Sequence, residues 1–427
     1  MMVRLNCIVR HNYSMQNHTQ AAARRLVAVF AATAAAACVA VLFVLRPRAP
    51  FVIYFLVAAL AALAVTALAR REVIRNSALL AFSTCICLAF AEAFFFLIGQ
   101  SGLRTQARPA YYRSDADLGY SARPGAVSEV KEYHGKRLLY DVAYRFGPDG
   151  LRHIPRAVQG GPCTVAFFGG SFAFGHGLND DQTVPYYFLK AAHGSYRGFN
   201  FAFGGYGPHQ MLREIETGRV SRVVKRPDLV VYEAISDHVR RAAGQVYWDP
   251  SGPKYRLLAG GKASYAGPFH GKRYRDFLRL LRKSWLYRFI ELHFAGAAHP
   301  ADVALLVAIV KRAQKILQHR DHSRFVALVW DNNRLGDLLA RDLAQHRINV
   351  IRVSAIIPDL TSQPAKYELS PLDRHPSAKA NRLIGEYLAR LAPRCTAAAN
   401  SVSAERSSAP AAAHPPSASA RGVAGAR

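Results

Sequence analysis

The pattern of hydrophobic and polar positions separates an apolar N-terminal part of the chain from a mixed remainder. Residues 26–45, 51–69 and 78–99 form three apolar runs that together contain a single charged side chain, the carboxylate of Glu92. At 1.5 Å per helical residue, each run reaches about 30 Å, the thickness of the hydrocarbon core of a bilayer. A cleaved signal peptide is shorter. The alternative, three buried helices of a soluble fold, rarely runs this long without a polar face. The pattern therefore predicts a three-helix membrane anchor over residues 26–99.

The Arg residues that flank these runs indicate the orientation of the anchor. Seven lie on the side of the N-terminus and five on the other side, and cytoplasmic flanks carry the excess of positive charge. We therefore expect a cytoplasmic segment over residues 1–25 and a C-terminal part on the outer face. In a bacterial inner membrane, that face is the periplasm. We expect Glu92, near the end of its run, to snorkel toward the interface.

Beyond the anchor the pattern changes to that of an α/β domain. Residues 100–160 alternate in hydrophobicity over 138–145 and turn at 147–150, which predicts a β-rich lead-in. Residues 161–395 then alternate short apolar runs with helical segments, which is typical of a parallel sheet covered on both faces. The predicted strands are 164–168, 198–203, 229–232, 325–330 and 350–353, and the predicted helices are 183–192, 209–224, 301–318, 337–346 and 377–391.

Two segments depart from this alternation. Residues 242–300 form a basic and aromatic insertion. It would either form one wall of a substrate cleft over the sheet's C-terminal edge or pack as an outer layer with no role in binding. Residues 396–427 consist largely of Ala, Ser and Pro. Such a segment buries too little apolar surface to fold, so we expect a disordered tail.

Charge and cysteine content narrow the function classes. The chain has 56 Lys and Arg against 28 Asp and Glu, a net charge of +28. The basic residues are spread along the chain, which favours solvated faces over a patch for anionic lipid or acidic polysaccharide. No nucleic-acid-binding module is present, so no nucleic-acid partner is expected. Histidines and cysteines lack metal-ligand spacing, so no cofactor is predicted. Cys163 and Cys395 flank the domain at one edge and could pair in an oxidising compartment.

A glycine-serine turn is the first candidate for chemistry. The strand at 164–168 runs directly into Gly169, Gly170 and Ser171. In a parallel sheet, the turn after a strand opens at the C-terminal edge, where ligands bind. Glycines permit a tight turn and a close approach of substrate. By itself, such a turn equally suits a phosphate cradle or an ordinary loop.

A second motif precedes the last predicted helix. Asp373 and His375 stand just before residues 377–391, where the helix begins at the same sheet edge as Ser171. The carboxylate can hold the imidazole Nδ1, which leaves Nε2 free to take the serine proton. The alternative is a plain helix entry, in which Asp373 makes a turn and His375 is merely exposed.

The order of these motifs resembles the SGNH/GDSL hydrolase superfamily over about residues 110–393. The resemblance is carried by Gly-Gly-Ser-Phe-x-Phe-Gly, then Asn-x-x-x-Gly-Gly-Tyr-Gly, then a late Asp-x-His-Pro. It implies a flavodoxin-like three-layer α/β/α domain. It also implies a catalytic triad of Ser171, His375 and Asp373, with the amide of Gly205 in the oxyanion hole.

The sequence departs from the superfamily pattern at two points. Gly170 stands where an Asp usually precedes the serine. Residues 234–238 lack the Asn that supplies an oxyanion donor, and Ser236 stands in its place. We expect the Ser236 hydroxyl to donate instead, beside the amides of Ser171 and Gly205.

The resemblance implies an esterase that works through a covalent acyl-enzyme, and the anchor resembles that of proteins that add or remove acetyl groups on cell-surface polysaccharides. We therefore expect a membrane-anchored serine esterase acting on O-acyl groups of an extracytoplasmic glycan or lipid. An O-acyltransferase using the same site and a catalytically silent glycan-binding or assembly protein remain alternatives. The expected partners are the lipid bilayer and an acylated glycan or small ester, and no oligomeric state is predicted.

Overall fold

The structure is a computed structural model that describes five parts of the chain: residues 26–27, 29–33, 51–99, 103–293 and 298–393. Helices α1 (Phe51–Leu68) and α2 (Glu72–Gly99) are each long and apolar enough to cross a membrane. They correspond to the second and third predicted runs, although α2 begins six residues before the third run.

Several predictions concern residues outside the described parts. Most of the first apolar run lies there, although residues 29–33 at its start are helical. The count of three spans therefore stays a prediction. The segment 1–25 and the tail 396–427 also lie outside the described residues. Cys163 is disulfide-bonded, and its predicted partner Cys395 lies outside the described residues as well.

The remaining elements follow in chain order. The strands are β1 (Leu103–Arg108), β2 (Tyr112–Asp115), β3 (Gly119–Ala122), β4 (Val127–His134), β5 (Arg137–Arg145), β6 (Cys163–Phe168), β7 (Tyr196–Asn200), β8 (Leu229–Ala234), β9 (Pro253–Leu258), β10 (Lys262–Pro268), β11 (Arg324–Val329), β12 (Asn349–Arg352), β13 (Glu368–Ser370) and β14 (Asp373–Pro376). The helices are α3 (Ser171–Phe174), α4 (Val184–Ala191), α5 (Pro208–Glu216), α6 (Arg219–Val223), α7 (His238–Ala242), α8 (Lys272–Leu281), α9 (Trp285–His293), α10 (Pro300–Asp321), α11 (Arg334–Gln345), α12 (Val353–Ile356) and α13 (Ala378–Leu391).

Five strands form the central sheet in the order β12-β11-β8-β6-β7, and each neighbouring pair is parallel. Counted along the chain, this is the order 2-1-3-4-5 of flavodoxin-like folds, in which ligands bind where the order reverses, between β6 and β8. The fold class predicted from the sequence is confirmed. All five predicted sheet strands are present, with bounds that differ by at most three residues.

Successive residues of β6 face opposite sides of the sheet, which gives the domain its three layers. Val165 and Phe167 belong to a buried cluster with the apolar faces of α4 and α13. Ala166 and Phe168 belong to a second cluster with α5 and α10. Because both sides of β6 are covered, all six of its residues are buried, and the strand holds the turn that follows it in place.

The prediction of one continuous helix over residues 209–224 is wrong. Residues 209–224 fold as two helices, α5 and α6, which are separated at Thr217 and Gly218. Gly218 has φ +72°, a left-handed conformation that stops a helix and that glycine adopts at little cost. The apolar spacing continues across this break, so hydrophobic periodicity alone did not reveal it.

The β-rich lead-in packs against the loops that follow the central strands. It contains strands β1 to β5, and its aromatic residues Tyr140 and Tyr144 share a buried cluster with Phe174 and Phe203. Phe174 lies in α3, three residues after Ser171, and Phe203 follows β7. The lead-in therefore supports the carboxyl edge of the sheet, where the candidate site lies.

The expectation that Glu92 snorkels toward the interface is wrong. Its side chain is buried and accepts hydrogen bonds from the Ser284 hydroxyl at 2.7 Å and from the backbone amides of Trp285 at 2.6 Å and Leu286 at 3.1 Å. The carboxylate thus caps the first turn of α9, where backbone amides lack helical partners. A partner 192 residues away could not be identified from the local sequence.

Candidate active site

Ser171 lies at the first residue of α3, one tight turn after β6. The turn requires Gly170, because a Cβ atom there would lie 2.5 Å from Nη1 of Arg241 and 2.9 Å from Nε2 of His238. A larger residue at this position would require the Arg241 and His238 side chains to move. The amide of Ser171 belongs to the first turn of a helix and has no helical acceptor, so it is available as a hydrogen-bond donor.

The structure brings Ser171, His375 and Asp373 together. Ser171 Oγ lies 2.9 Å from Nε2 of His375, although 204 residues separate them in the chain. Nδ1 of His375 lies 2.5 Å from Oδ1 of Asp373. Both partners come from β14, the short strand that leads into α13. The imidazole therefore bridges the hydroxyl and the carboxylate, the arrangement of a nucleophile, a general base and an orienting group.

Electrostatics favours the charge states that this arrangement needs. Burial acts to raise the pKa of Asp373. The hydrogen bond and charge of His375 outweigh that effect and lower the pKa below its ordinary value. Asp373 is therefore ionised at neutral pH, and it holds the His375 tautomer that leaves Nε2 free to accept a proton.

His176 is a site residue that the sequence analysis missed. Its ring lies 4.3 Å from the His375 ring, centroid to centroid, and its Nε2 is hydrogen-bonded to Oη of Tyr140 at 2.7 Å. Burial, and then the charge of His375, lower the pKa of His176 to about 3. The ring is therefore neutral at neutral pH. The sequence feature that could have pointed to His176 is its position between two glycines, five residues after Ser171.

Gly205 lies in the loop after β7 and lines the same cavity as Ser171. Tyr120 donates a hydrogen bond to the carbonyl of Gly204 at 2.9 Å, and Trp248 donates one to the carbonyl of Gly205 at 3.2 Å. In a trans peptide the C=O and N–H groups point in opposite directions. Tyr120 therefore fixes the direction of the Gly205 amide, the predicted oxyanion donor. Gly205 has φ +81°, which favours glycine at this position.

Ser236 follows β8 at the carboxyl edge of the sheet, but it is not among the residues that line the cavity containing Ser171. Its oxygen accepts a hydrogen bond from the Asn333 side-chain amide at 3.1 Å. Asn333 also caps α11 by accepting from the amide of Gly336 at 2.9 Å. The hydroxyl proton of Ser236 is not used in this contact, and its role as an oxyanion donor stays a prediction.

The cavity beside the triad has a volume of about 720 Å³ and is lined mainly by aromatic and polar side chains. Ser171, His176 and His375 lie on one part of its wall. The insertion supplies residues 247–251 to another part, including Trp248. Of the two alternatives for the insertion, this placement favours the wall of a cleft.

His176, Asp373 and His375 form a cluster whose ligand atoms lie within 4.8 Å of one another, close enough to hold a metal ion. Both ring nitrogens of His375 already form hydrogen bonds, to Ser171 and to Asp373. Nε2 of His176 is bonded to Tyr140. These hydrogen bonds account for the cluster, and we assign no metal to it.

Comparison with known proteins gives likeness at the level of structure. No protein-family model and no curated protein matches the sequence. A protein described as lipolytic, of the G-D-S-L family, from Desulfitobacterium hafniense DCB-2 is 12% identical and covers 54% of this chain and 100% of its own, with a TM-score of 0.32. A lipase from a goat rumen metagenome is 13% identical over 55% of this chain and 98% of its own, with a TM-score of 0.32. An esterase from Pseudoalteromonas sp. is 14% identical and covers 53% of this chain and 94% of its own, with a TM-score of 0.28.

The first of these proteins carries the name of the superfamily that the sequence motifs resemble. Ser171, His375 and Asp373 lie together at one sheet edge, in the order of a nucleophile, a general base and an orienting carboxylate.

Proposed function

We propose that the chain is a serine esterase of the SGNH type, held at a membrane by its N-terminal helices. The observation that carries this proposal is the 2.9 Å contact between Ser171 Oγ and His375 Nε2, with Asp373 on the other ring nitrogen. The proposed substrate is an O-acyl group, such as O-acetyl, on an extracytoplasmic glycan or lipid.

The chemistry begins with transfer of the Ser171 proton to Nε2 of His375 as the serine oxygen attacks the ester carbonyl. The carbonyl oxygen becomes an oxyanion, which the amides of Ser171 and Gly205 would stabilise. His375 then gives the proton to the departing alcohol, and the acyl group remains on Ser171. Water, deprotonated by the same imidazole, releases the acid and restores the serine.

Two features support anchoring of this domain. Helices α1 and α2 are long and apolar enough to cross a membrane, and their side chains are mostly not buried within the protein. Exposed Phe90 and Phe94 on α2, for example, need an apolar environment. The Arg excess on the N-terminal side supports an outer, periplasmic position for the catalytic domain.

Hydrolysis of a chromogenic acetyl ester by the full-length protein tests the esterase proposal. We expect Ser171→Ala to lower kcat/KM by about a thousandfold or more, because the nucleophile is lost. Ser362→Ala is the matched control, since Ser362 is an exposed serine that does not line the cavity. It should stay within about threefold of the wild type. Equal rates for Ser171→Ala and wild type would refute the proposal and favour the catalytically silent binding protein.

A further inference from the structure

A second, strongly basic pocket adjoins the candidate active site. Its volume is about 360 Å³, and it shares Pro250 and Ser251 with the lining of the catalytic cavity. All its other lining side chains are cationic: Arg275, Arg279, Arg282, Lys283 and Arg288. They come from α8, α9 and the turn between these helices, within the insertion.

Only part of this positive charge is balanced within the protein. Arg279 pairs with Asp276 at 3.0 Å, and Arg282 pairs with Glu291 at 2.8 Å. The other three basic residues have no carboxylate partner among the described residues.

The guanidinium groups of two of these three are held by backbone carbonyls. Arg275 donates to the carbonyl of His270 at 2.8 Å, and Arg288 donates to that of Arg282 at 2.7 Å. Such bonds orient the groups without neutralising them, and Lys283 is exposed. The pocket therefore keeps an excess of positive charge that suits an anion.

Contacts with α2 fix the level of this pocket relative to the membrane helix. Ser284, which follows Lys283, donates a hydrogen bond to Glu92 at 2.7 Å. Phe289 of α9 stacks on Phe95 of α2, with ring centroids 4.2 Å apart. Glu92 is seven residues before the end of α2, or about 10 Å along the axis. The basic cluster therefore lies within about two helical turns of the C-terminal end of α2, which is the end that leads into the catalytic domain.

Helix α8 has the character of a helix that lies in a membrane interface. It carries exposed Tyr274, Phe277 and Leu280 among its basic residues. Apolar side chains beside Lys and Arg are the pattern of helices that insert one face at the boundary of headgroups and acyl chains. The apolar residues of α8 and the basic pocket thus match the two parts of an anionic lipid.

We propose that this basic pocket binds the phosphate of an anionic membrane lipid and holds its headgroup beside the catalytic cavity. This inference rests on the proposed membrane anchoring and not on the proposed ester hydrolysis. A lipid held there would bring the cavity, through Pro250 and Ser251, next to the membrane surface from which a lipid-borne ester would arrive.

The test is binding of short-chain lipids to the full-length protein in a non-ionic detergent, measured by calorimetry. The probes are dioctanoyl-phosphatidylglycerol, dioctanoyl-phosphatidylcholine and inorganic phosphate. The variant Arg275→Gln/Lys283→Gln/Arg288→Gln removes the unbalanced charges. Its matched control, Arg197→Gln/Lys225→Gln/Arg226→Gln, removes the same number of exposed charges at the opposite edge of the sheet, near the starts of β7 and β8.

We expect phosphatidylglycerol to bind the wild type and the control variant with dissociation constants within twofold of each other. The pocket variant should bind at least tenfold more weakly. Phosphatidylcholine, whose phosphate is neutralised by its own cation, should bind at least tenfold more weakly than phosphatidylglycerol. Equal affinity of all proteins for phosphatidylglycerol, or equal affinity for the two lipids, would overturn the proposal. Inorganic phosphate binding as tightly as the lipid would also overturn it, because the ligand would then be a free anion.

A single substitution covers the case in which the triple variant does not fold. Lys283→Glu reverses one exposed charge whose side chain forms no hydrogen bond or ion pair with the part of the chain that the structure describes. It should weaken phosphatidylglycerol binding at least threefold. Lys225→Glu is its control and should bind like the wild type. Lipid binding is measured without turnover, so a protein that binds the lipid but hydrolyses no ester would refute the esterase proposal alone.

Discussion

The imidazole ring of His176 lies against that of His375, with ring centroids 4.3 Å apart and an angle of 34° between the planes. Because burial and the charge of His375 lower the pKa of His176 to about 3, the ring contributes no charge at neutral pH. It also has one nitrogen tied to Tyr140. His176 is therefore a rigid, uncharged support for the general base, and we regard it as a positioning residue.

Substitution of His176 tests this positioning role. We expect His176→Ala to lower kcat by about 10-fold to 100-fold with little change in KM, since a general base displaced by about 1 Å loses that much. His176→Phe keeps a ring against His375 and should recover most of the activity. Because His176 is neutral over the working range, the pH dependence of kcat/KM should have the same midpoint in His176→Phe as in the wild type. An unchanged kcat in His176→Ala would contradict this role.

Neighbouring glycines provide a matched test of the oxyanion loop. In Gly205→Ala, the new Cβ would lie 2.4 Å from Oη of Tyr120 and 2.8 Å from Nε1 of Trp248, and φ is +81°. We expect kcat to fall about 100-fold to 1000-fold, the effect of losing one oxyanion donor. Gly204→Ala has no atom within 4 Å of its new Cβ and should stay within about threefold of the wild type. Equal activities of the two variants in the acetyl-ester assay would show that the Gly205 amide is not an oxyanion donor.

Buried Glu233 predicts a pH dependence of stability. Burial raises its pKa from 4.5 to about 7, although a hydrogen bond from Trp330 acts in the opposite direction. The unfolded chain ionises at lower pH than the folded one. The wild type should therefore lose stability as the pH rises from about 4.5 to 7, by up to about 3 kcal/mol.

Glu233→Gln should abolish that loss, because an amide does not titrate and can still accept the Trp330 hydrogen bond. Thermal unfolding of both proteins at about pH 5 and pH 8 measures the difference. Glu129→Gln on the exposed side of β4 is the control and should keep the wild-type pH dependence. A wild-type midpoint temperature that falls no more than that of Glu233→Gln between the two pH values would count against this account.

The sequence was most informative where structure follows local pattern. The strand that ends at Phe168 is wholly buried, so its apolar run was clear, and the glycines after it marked the turn that presents Ser171. Asp373 and His375 stand two residues apart just before a helix. Their side chains are therefore close enough to form a hydrogen bond, and this pairing could be predicted from the sequence. Because the loops at the carboxyl ends of parallel strands lie at one edge of the sheet, Asp373 and His375 could also be predicted to lie near Ser171.

The residues that were missed are those whose role comes from distant contacts. Tyr120 meets Gly204 across 84 residues, and Glu92 meets Ser284 across 192 residues. Neither contact produces a hydrophobic periodicity or a motif with fixed residue spacing in the sequence. His176 was close to Ser171 in sequence, but its role depends on burial against His375, which only the three-dimensional arrangement shows.

Active-site labelling tests most directly whether Ser171 is an activated nucleophile. The full-length protein is treated with a fluorophosphonate, and the modified peptide is identified by mass spectrometry. We predict a single adduct on Ser171 that is lost in Ser171→Ala and at least a hundredfold slower to form in His375→Ala, because the imidazole removes the hydroxyl proton. An unmodified Ser171, or an adduct that forms at the same rate without His375, would contradict the account.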